Sequence, residues 1–234
     1  MKTALAIFAK TPELSPVKTR LAMDFGQKKA ETFYRMSVDA VEEMALTAKE
    51  LSGNAIDLFW AAPEKQAVEQ ITKSFPVLWT GGNGLGESLA NISEELFSRY
   101  KQVILIGTDS PQLKPSLILE AIDRLSSKPD SCVIGPSADG GFYLFGSNIR
   151  IPRAIWTRVE YSRENTLKQL LDQLAKSGYP VSLLSEEIDV DHFDDLNLLY
   201  QTFYGNQNGM LPEQRKLYIW LERKINYALT IITQ

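Results

Sequence analysis

Thiol and imidazole groups are nearly missing from this sequence, which carries one cysteine, Cys132, and one histidine, His192. One cysteine excludes an intrachain disulfide, and its place in a short apolar run reads as a buried thiol. With one of each residue, a Cys/His zinc site is excluded too. Any metal must be held mainly by carboxylates, which points to Mg2+ or Mn2+. A cationic excess is also lacking. The formal net charge is -4, and a surface that tracks nucleic-acid phosphates needs the opposite balance. No apolar stretch approaches a membrane span, and the brief run after Met1-Lys2-Thr3 is too short for a signal peptide. The expectation is a cytoplasmic protein with no nucleic-acid partner and no membrane span.

What the chain has is ordinary globular composition, 44% hydrophobic and 23% charged over 234 residues. That length suits one large α/β domain or two small ones. Continuous apolar runs at Thr3 to Ala9 and Val103 to Ile106 predict strands covered on both faces. Shorter strands are expected at Ala55 to Trp60, Val77 to Trp79, Cys132 to Ile134, Phe142 to Phe145 and Val181 to Leu184. Lys28 to Leu51 predicts a helix with Phe33, Met36, Ala40, Met44 and Ala48 on one face. Further helices are expected at Glu64 to Lys73, Gly86 to Arg99, Pro115 to Leu125, Arg163 to Lys176, from Asp194, and from Leu211 to Ile232. Strands alternating with helices argue for a mainly parallel sheet with helices on both faces. In such sheets ligands sit at the carboxyl ends of strands, near a switch in strand order.

Polar clusters fall at those ends. The first, Lys10 to Arg20, sets Lys10, Lys18 and Arg20 just beyond a buried strand, where they can pair with a diphosphate or lie in a solvated basic loop. It lacks the glycines of a Walker or Rossmann motif. The second is Gly107-Thr108-Asp109-Ser110-Pro111. Asp109 there can hold a divalent ion against phosphate oxygens, or cap the next turn; Thr108 joins the phosphate-binding candidates. The third is Asp189-Val190-Asp191, whose alternation puts both carboxylates on one side, to complete a metal shell or to cap the next helix. The fourth, Ser137-Ala138-Asp139-Gly140-Gly141, offers Asp139 as a base or hydroxyl ligand, or as a turn former. The backbone N–H groups near Gly82 form a weaker anion candidate. Trp60, Trp79 and Tyr143 read as core.

Together these stretches resemble DUF2064, a bacterial family of glycosyltransferase-like proteins related to the nucleotide-diphospho-sugar transferase (GT-A) superfamily. The stretches are FAKTPELSPVKTRLA from Phe8, GGNGLGESLA from Gly81, IGTDSPQL from Ile106, GPSADGGFYLFG from Gly135 and IDVDHFDDL from Ile188. They occur in family order and span most of Thr3 to Leu196. The resemblance implies an α/β, GT-A-like nucleotide-diphospho-sugar transferase fold, a mainly parallel mixed sheet flanked by helices on both faces. Residues 1–234 would form a single GT-A-like domain, with motifs over 3–196 and a helical extension over 197–234. It implies that Lys10, Lys18 and Arg20 sit in the nucleotide-phosphate loop. It implies Asp109 as the metal-binding acid, Asp191 or Asp189 as the second, and the Asp139 segment on the acceptor or sugar side.

There are departures from the family pattern: Ser15 stands for a usual Gly, Gly84 for an acid, Ser88 for an Arg, and Tyr161 for a Trp. The expected activity is metal-dependent glycosyl transfer from a nucleotide-sugar donor to an unknown small-molecule acceptor. The rivals are nucleotidyl transfer to a phosphorylated small molecule and a non-catalytic nucleotide-sugar sensor. The terminal helix, with Leu217, Trp220, Leu221, Ile225 and Leu229, either packs on the domain or forms a homodimer interface, and packing is the expectation.

Overall fold

The computed structural model describes residues 2–64, 74–81 and 83–232, with only the backbone described over 225–232. The helix expected over Glu64 to Lys73, the site candidate Gly82, and the side chains of Ile225 and Leu229 therefore lie largely or wholly outside the described residues.

Seven strands form one sheet in the order β3-β2-β1-β4-β6-β5-β7. They are β1 (Thr3–Phe8), β2 (Ile56–Ala62), β3 (Val77–Trp79), β4 (Gln102–Ile106), β5 (Cys132–Pro136), β6 (Phe142–Ser147) and β7 (Val181–Leu183). β1 pairs in parallel with β2 on one side and β4 on the other. β6 is antiparallel to both β4 and β5. The Ser137–Gly141 turn makes this hairpin, and it mixes an otherwise parallel sheet. The chain steps outward from β1 to β2 and β3, then returns to β4 on the far side of β1. That return is the switch in strand order, and it opens a crevice above β1 and β4.

The strict alternation of β1 sorts its side chains between two layers. Leu5 and Ile7 face α2 (Gln27–Leu51) and α4 (Pro115–Ser127), meeting Val41, Met44, Ala48, Ile118 and Leu125. Ala4 and Ala6 face α3 (Leu85–Phe97), α5 (Arg153–Thr157) and α6 (Thr166–Lys176), among Ile92, Leu96, Trp156 and Leu170. Phe33, Ala40, Met44 and Ala48 of the expected α2 face are fully buried. Cys132 lies in the second layer, and burial pushes its thiol up to about 12.

A third cluster joins α1 (Thr19–Phe25), the start of α2, α7 (Phe193–Tyr204) and α8 (Pro212–Ile232). Leu217 and Leu221 of α8 are fully buried there, and the Trp220 ring meets Phe25 edge-on at 5.8 Å. The terminal helix thus packs onto the same body through its described part. Two short helices, α1 and α5, go beyond the sequence reading. At seven and five residues they are too short for a helical period to register, and packing of Leu21, Phe25 and Trp156 holds them. One aromatic expectation is corrected. Trp60 and Tyr143 are buried, but Trp79 is 46% exposed because it closes the short edge strand β3. Its indole donates to the Pro63 carbonyl at 3.0 Å.

Among the described residues no helix is long and apolar enough to cross a membrane.

Candidate active site at the β1–β4 crevice

Three separate stretches meet above β1 and β4. The loop after β1 carries Lys18 to the start of α1. The loop after β4 carries Asp109. The segment before α7 carries Asp189 and Asp191 and is bound to the β4 loop by the Val190 N–H, which donates to the Asp109 carbonyl at 2.9 Å. Val190 is fully buried in the third cluster. Alternation then turns its two acidic neighbours the other way, toward the crevice.

Lys18 is the centre of the arrangement. Its Nζ stands 2.6 Å from Asp109 Oδ1 and 3.2 Å from Asp191 Oδ1, and donates to the Val190 carbonyl. The Lys18 side chain is 3% exposed, against 48% for Asp109 and 39% for Asp191. The lysine is therefore plugged beneath two carboxylates that still face outward. Burial lowers the affinity of this amine for its proton. The Asp109 and Asp191 charges outweigh that effect and hold the ammonium above its ordinary range. Its backbone is left-handed, φ 47 and ψ 45, which costs a non-glycine residue on the order of 1 kcal/mol and persists because the surroundings impose it. Arg20 Nη1 reaches Asp191 Oδ2 at 3.2 Å from a half-exposed position. Lys10 is exposed on the same loop and makes no ion pair among the described residues.

Asp189 lies behind this pair. Burial first, then the Asp139, Asp191 and Asp109 charges, raise its carboxyl to about 7, with Lys18 opposing. The charges of the other three acids thus converge on Asp189. Among the described residues no group of three or more His, Cys, Asp or Glu is arranged to hold a metal ion. Asp109 and Asp191 do share one cation, and Mg2+ needs only one or two carboxylates beside phosphate and water. The all-oxygen set at Lys18 Nζ fits such an ion.

Capping of α7 falls to a different acid. The Asp195 carboxylate accepts the Asp191 and His192 N–H groups at 2.9 and 2.6 Å, which leaves the Asp191 side chain to the crevice.

The remaining candidates sit differently. Thr108 is buried beside the Tyr34 hydroxyl, below the crevice floor. Asp139 forms a tight turn, its Oδ1 accepting the Gly141 N–H at 2.8 Å. Its exposed carboxylate still contributes to the charge around Asp189. The close approach at Gly140 is to protein: a Cβ there would lie 1.8 Å from the Glu164 carbonyl oxygen.

Two residues that brace the crevice loops had no signal in the sequence. Tyr34, in the first third of α2, accepts the Lys10 N–H and donates to the Lys10 carbonyl. Gln214 of α8 donates to the Pro111 and Leu113 carbonyls at 2.9 and 3.0 Å and so steadies the loop of Asp109. A buried tyrosine reads as core, and a glutamine in an amphipathic helix reads as surface.

No curated protein matches this sequence. Among solved structures, a protein of Desulfovibrio desulfuricans G20, named as a candidate nucleotide-diphospho-sugar transferase, is similar at 25% identity and TM-score 0.80, over 97% of this chain and 96% of its own. A nucleotidyl transferase of Methanothermobacter thermautotrophicus shares the fold at 11% identity and TM-score 0.54, over 88% of this chain and 99% of its own. The 4-diphosphocytidyl-2C-methyl-D-erythritol synthase of Anaerococcus prevotii does so at 12% and 0.51, over 88% and 96%. The fold is that of the nucleotide-diphospho-sugar transferases. Residues 44–163 match the family described as uncharacterized protein conserved in bacteria, DUF2064. Spanning half of the chain and taking in β2, the Asp109 loop and the Asp139 turn, that match makes this protein a member of the DUF2064 family.

Proposed function

We propose that this protein transfers a sugar from a nucleotide-diphospho-sugar donor to a small-molecule acceptor, in a divalent-metal-dependent reaction. The observation that carries the reading is the meeting of Lys18, Arg20, Asp109 and Asp191 at the strand-order switch. Cations from one loop and carboxylates from two others stand together where ligands of such sheets bind. The similarity to the Desulfovibrio protein over nearly its whole length supports the donor class.

Lys10, Lys18 and Arg20 share the charge of the donor diphosphate, Arg20 with a planar fork suited to it. Asp109 and Asp191, with Asp189 behind them, would hold Mg2+ or Mn2+, which when bound neutralises charge on the departing nucleoside diphosphate. Asp139 faces outward from its turn and orients or deprotonates the acceptor hydroxyl.

Nucleotidyl transfer is the second reading. The fold is shared with a nucleotidyl transferase, and Lys10 offers a further cation that a triphosphate would engage.

A thermal-shift panel of nucleoside mono-, di- and triphosphates and nucleotide sugars, with and without Mg2+ and Mn2+, separates these readings, because a ligand of the native state raises Tm by mass action. Metal-dependent stabilisation by one nucleoside diphosphate and its sugar supports glycosyl transfer. Preference for a triphosphate turns the assignment to nucleotidyl transfer. No shift with any nucleotide sinks both. Asp109→Asn should abolish the metal dependence, and unchanged turnover at saturating metal would remove Asp109 from its role.

A further inference from the structure

The crevice is balanced by its own side chains. Two carboxylates, Asp109 and Asp191, are matched by two cations, Lys18 and Arg20. The Lys18 ammonium fills the place where the carboxylates converge, with three oxygens around it: Asp109 Oδ1 at 2.6 Å, Asp191 Oδ1 at 3.2 Å and the Val190 carbonyl. Those are hard oxygen donors of the kind a divalent ion takes. The plug is also the most deeply buried of the charged groups, at 3% side-chain exposure. It is carried on a left-handed residue at the start of a short helix.

The geometry points to Lys18 as an exchangeable resident cation, so that the site takes a divalent metal and a diphosphate together as one complex. This deepens the reading above and rests on it. In the exchange the Lys18 ammonium leaves Asp109 and Asp191 to the metal and moves onto the incoming phosphate oxygens. No covalent bond is made or broken. A metal arriving alone must displace Lys18 with no anion to receive it. A diphosphate arriving alone meets two carboxylates that repel it and a lysine already engaged. Only the pair together leaves every charge matched, and unmatched charge in a partly buried site is costly. A contact within the chain thereby weakens binding of either component alone.

A lysine that served only as a phosphate ligand would have no effect on metal binding in the absence of nucleotide, and this separates the two roles. The experiment is a Mn2+ titration without nucleotide, following free Mn2+ by electron paramagnetic resonance, on the wild-type chain and on Lys18→Met. Removing the competing ammonium should tighten Mn2+ binding about tenfold. Equal or weaker affinity in a folded Lys18→Met overturns the exchange. The donor reading still stands in that case if the wild type binds Mn2+ in the presence of a nucleoside diphosphate. If neither protein binds Mn2+ with or without ADP, CDP, GDP or UDP, the exchange and the metal-dependent reading fall together.

Should Lys18→Met not fold, reductive methylation of the wild type read by mass spectrometry decides the matter. Lys18 should be protected in metal-free protein and become reactive at saturating Mg2+. Persistent protection at saturation overturns the proposal.

Discussion

The Tyr34 hydroxyl grips the Lys10 peptide from both sides, accepting its N–H at 2.7 Å and donating to its carbonyl at 2.9 Å. Burial pushes this phenol up to about 12, so it stays protonated and able to donate across the physiological range. Through it, α2 sets the path of the loop that delivers Lys10 and Lys18. Tyr34→Phe keeps the ring and removes both bonds. It should cost about 2 kcal/mol of stability, at roughly 1 kcal/mol per lost bond. It should also weaken nucleotide binding more than it slows turnover. Urea denaturation and a split of KM from kcat check this.

Gln214 ties the terminal helix to the other side of the crevice. Its amide donates to Pro111 and Leu113 and accepts the Leu211 N–H at 3.0 Å, all in a buried setting. Gln214→Leu strands those groups without water. A loss of about 2–4 kcal/mol is expected, with a smaller nucleotide-induced rise in Tm, because the Asp109 loop loses its support. A normal nucleotide response in the variant would confine α8 to a passive role.

Asp189 makes stability fall as pH rises. Its carboxyl is raised from 3.8 to about 7 by burial and by the neighbouring acids, so the folded state holds this proton more tightly than the unfolded chain does. Its contribution is complete below the unfolded value and is lost as pH climbs toward the folded one. Asp189→Asn should therefore gain on the wild type between about pH 4 and pH 7, with no further gain above. Melting temperatures of both proteins across that window test the sign.

Gly140 admits no side chain. Its φ is +87 and a Cβ would lie 1.8 Å from the Glu164 carbonyl oxygen. The Gly140 carbonyl also accepts the Leu167 N–H at 2.9 Å, docking the start of α6. Gly140→Ala should cost more than about 2 kcal/mol, since strain at positive φ and backbone overlap add. Chemical denaturation against the wild type measures it, and the neighbouring loss of the Asp139 turn should appear as lower activity.

Much of the architecture was legible in local patterns. β1 and β4 are apolar because both faces are covered, and that alone produces an unbroken run. The period along α2 from Phe33 to Ala48 reports the face that meets the sheet. Lys18, Arg20, Asp109 and Asp191 were recognisable as candidates because polar residues beyond buried strands must end at the sheet's rim. The short helices α1 and α5 and the edge exposure of Trp79 were not legible, since each depends on what lies beside it.

By itself, then, the sequence determined the layer architecture, the carboxylate character of any metal site and the loops in which charge would gather, because periodicity and composition act along the chain. Only the tertiary structure decided that Lys18 lies buried between Asp109 and Asp191, that Asp195 rather than Asp191 caps α7, that Gly140 yields to Glu164, and that Tyr34 and Gln214 brace the two sides of the crevice. Apart from the local cap at Asp195, each of these joins residues far apart in the chain, and their meeting is set by the order of strands in the sheet and the packing of helices upon it, which no local pattern encodes.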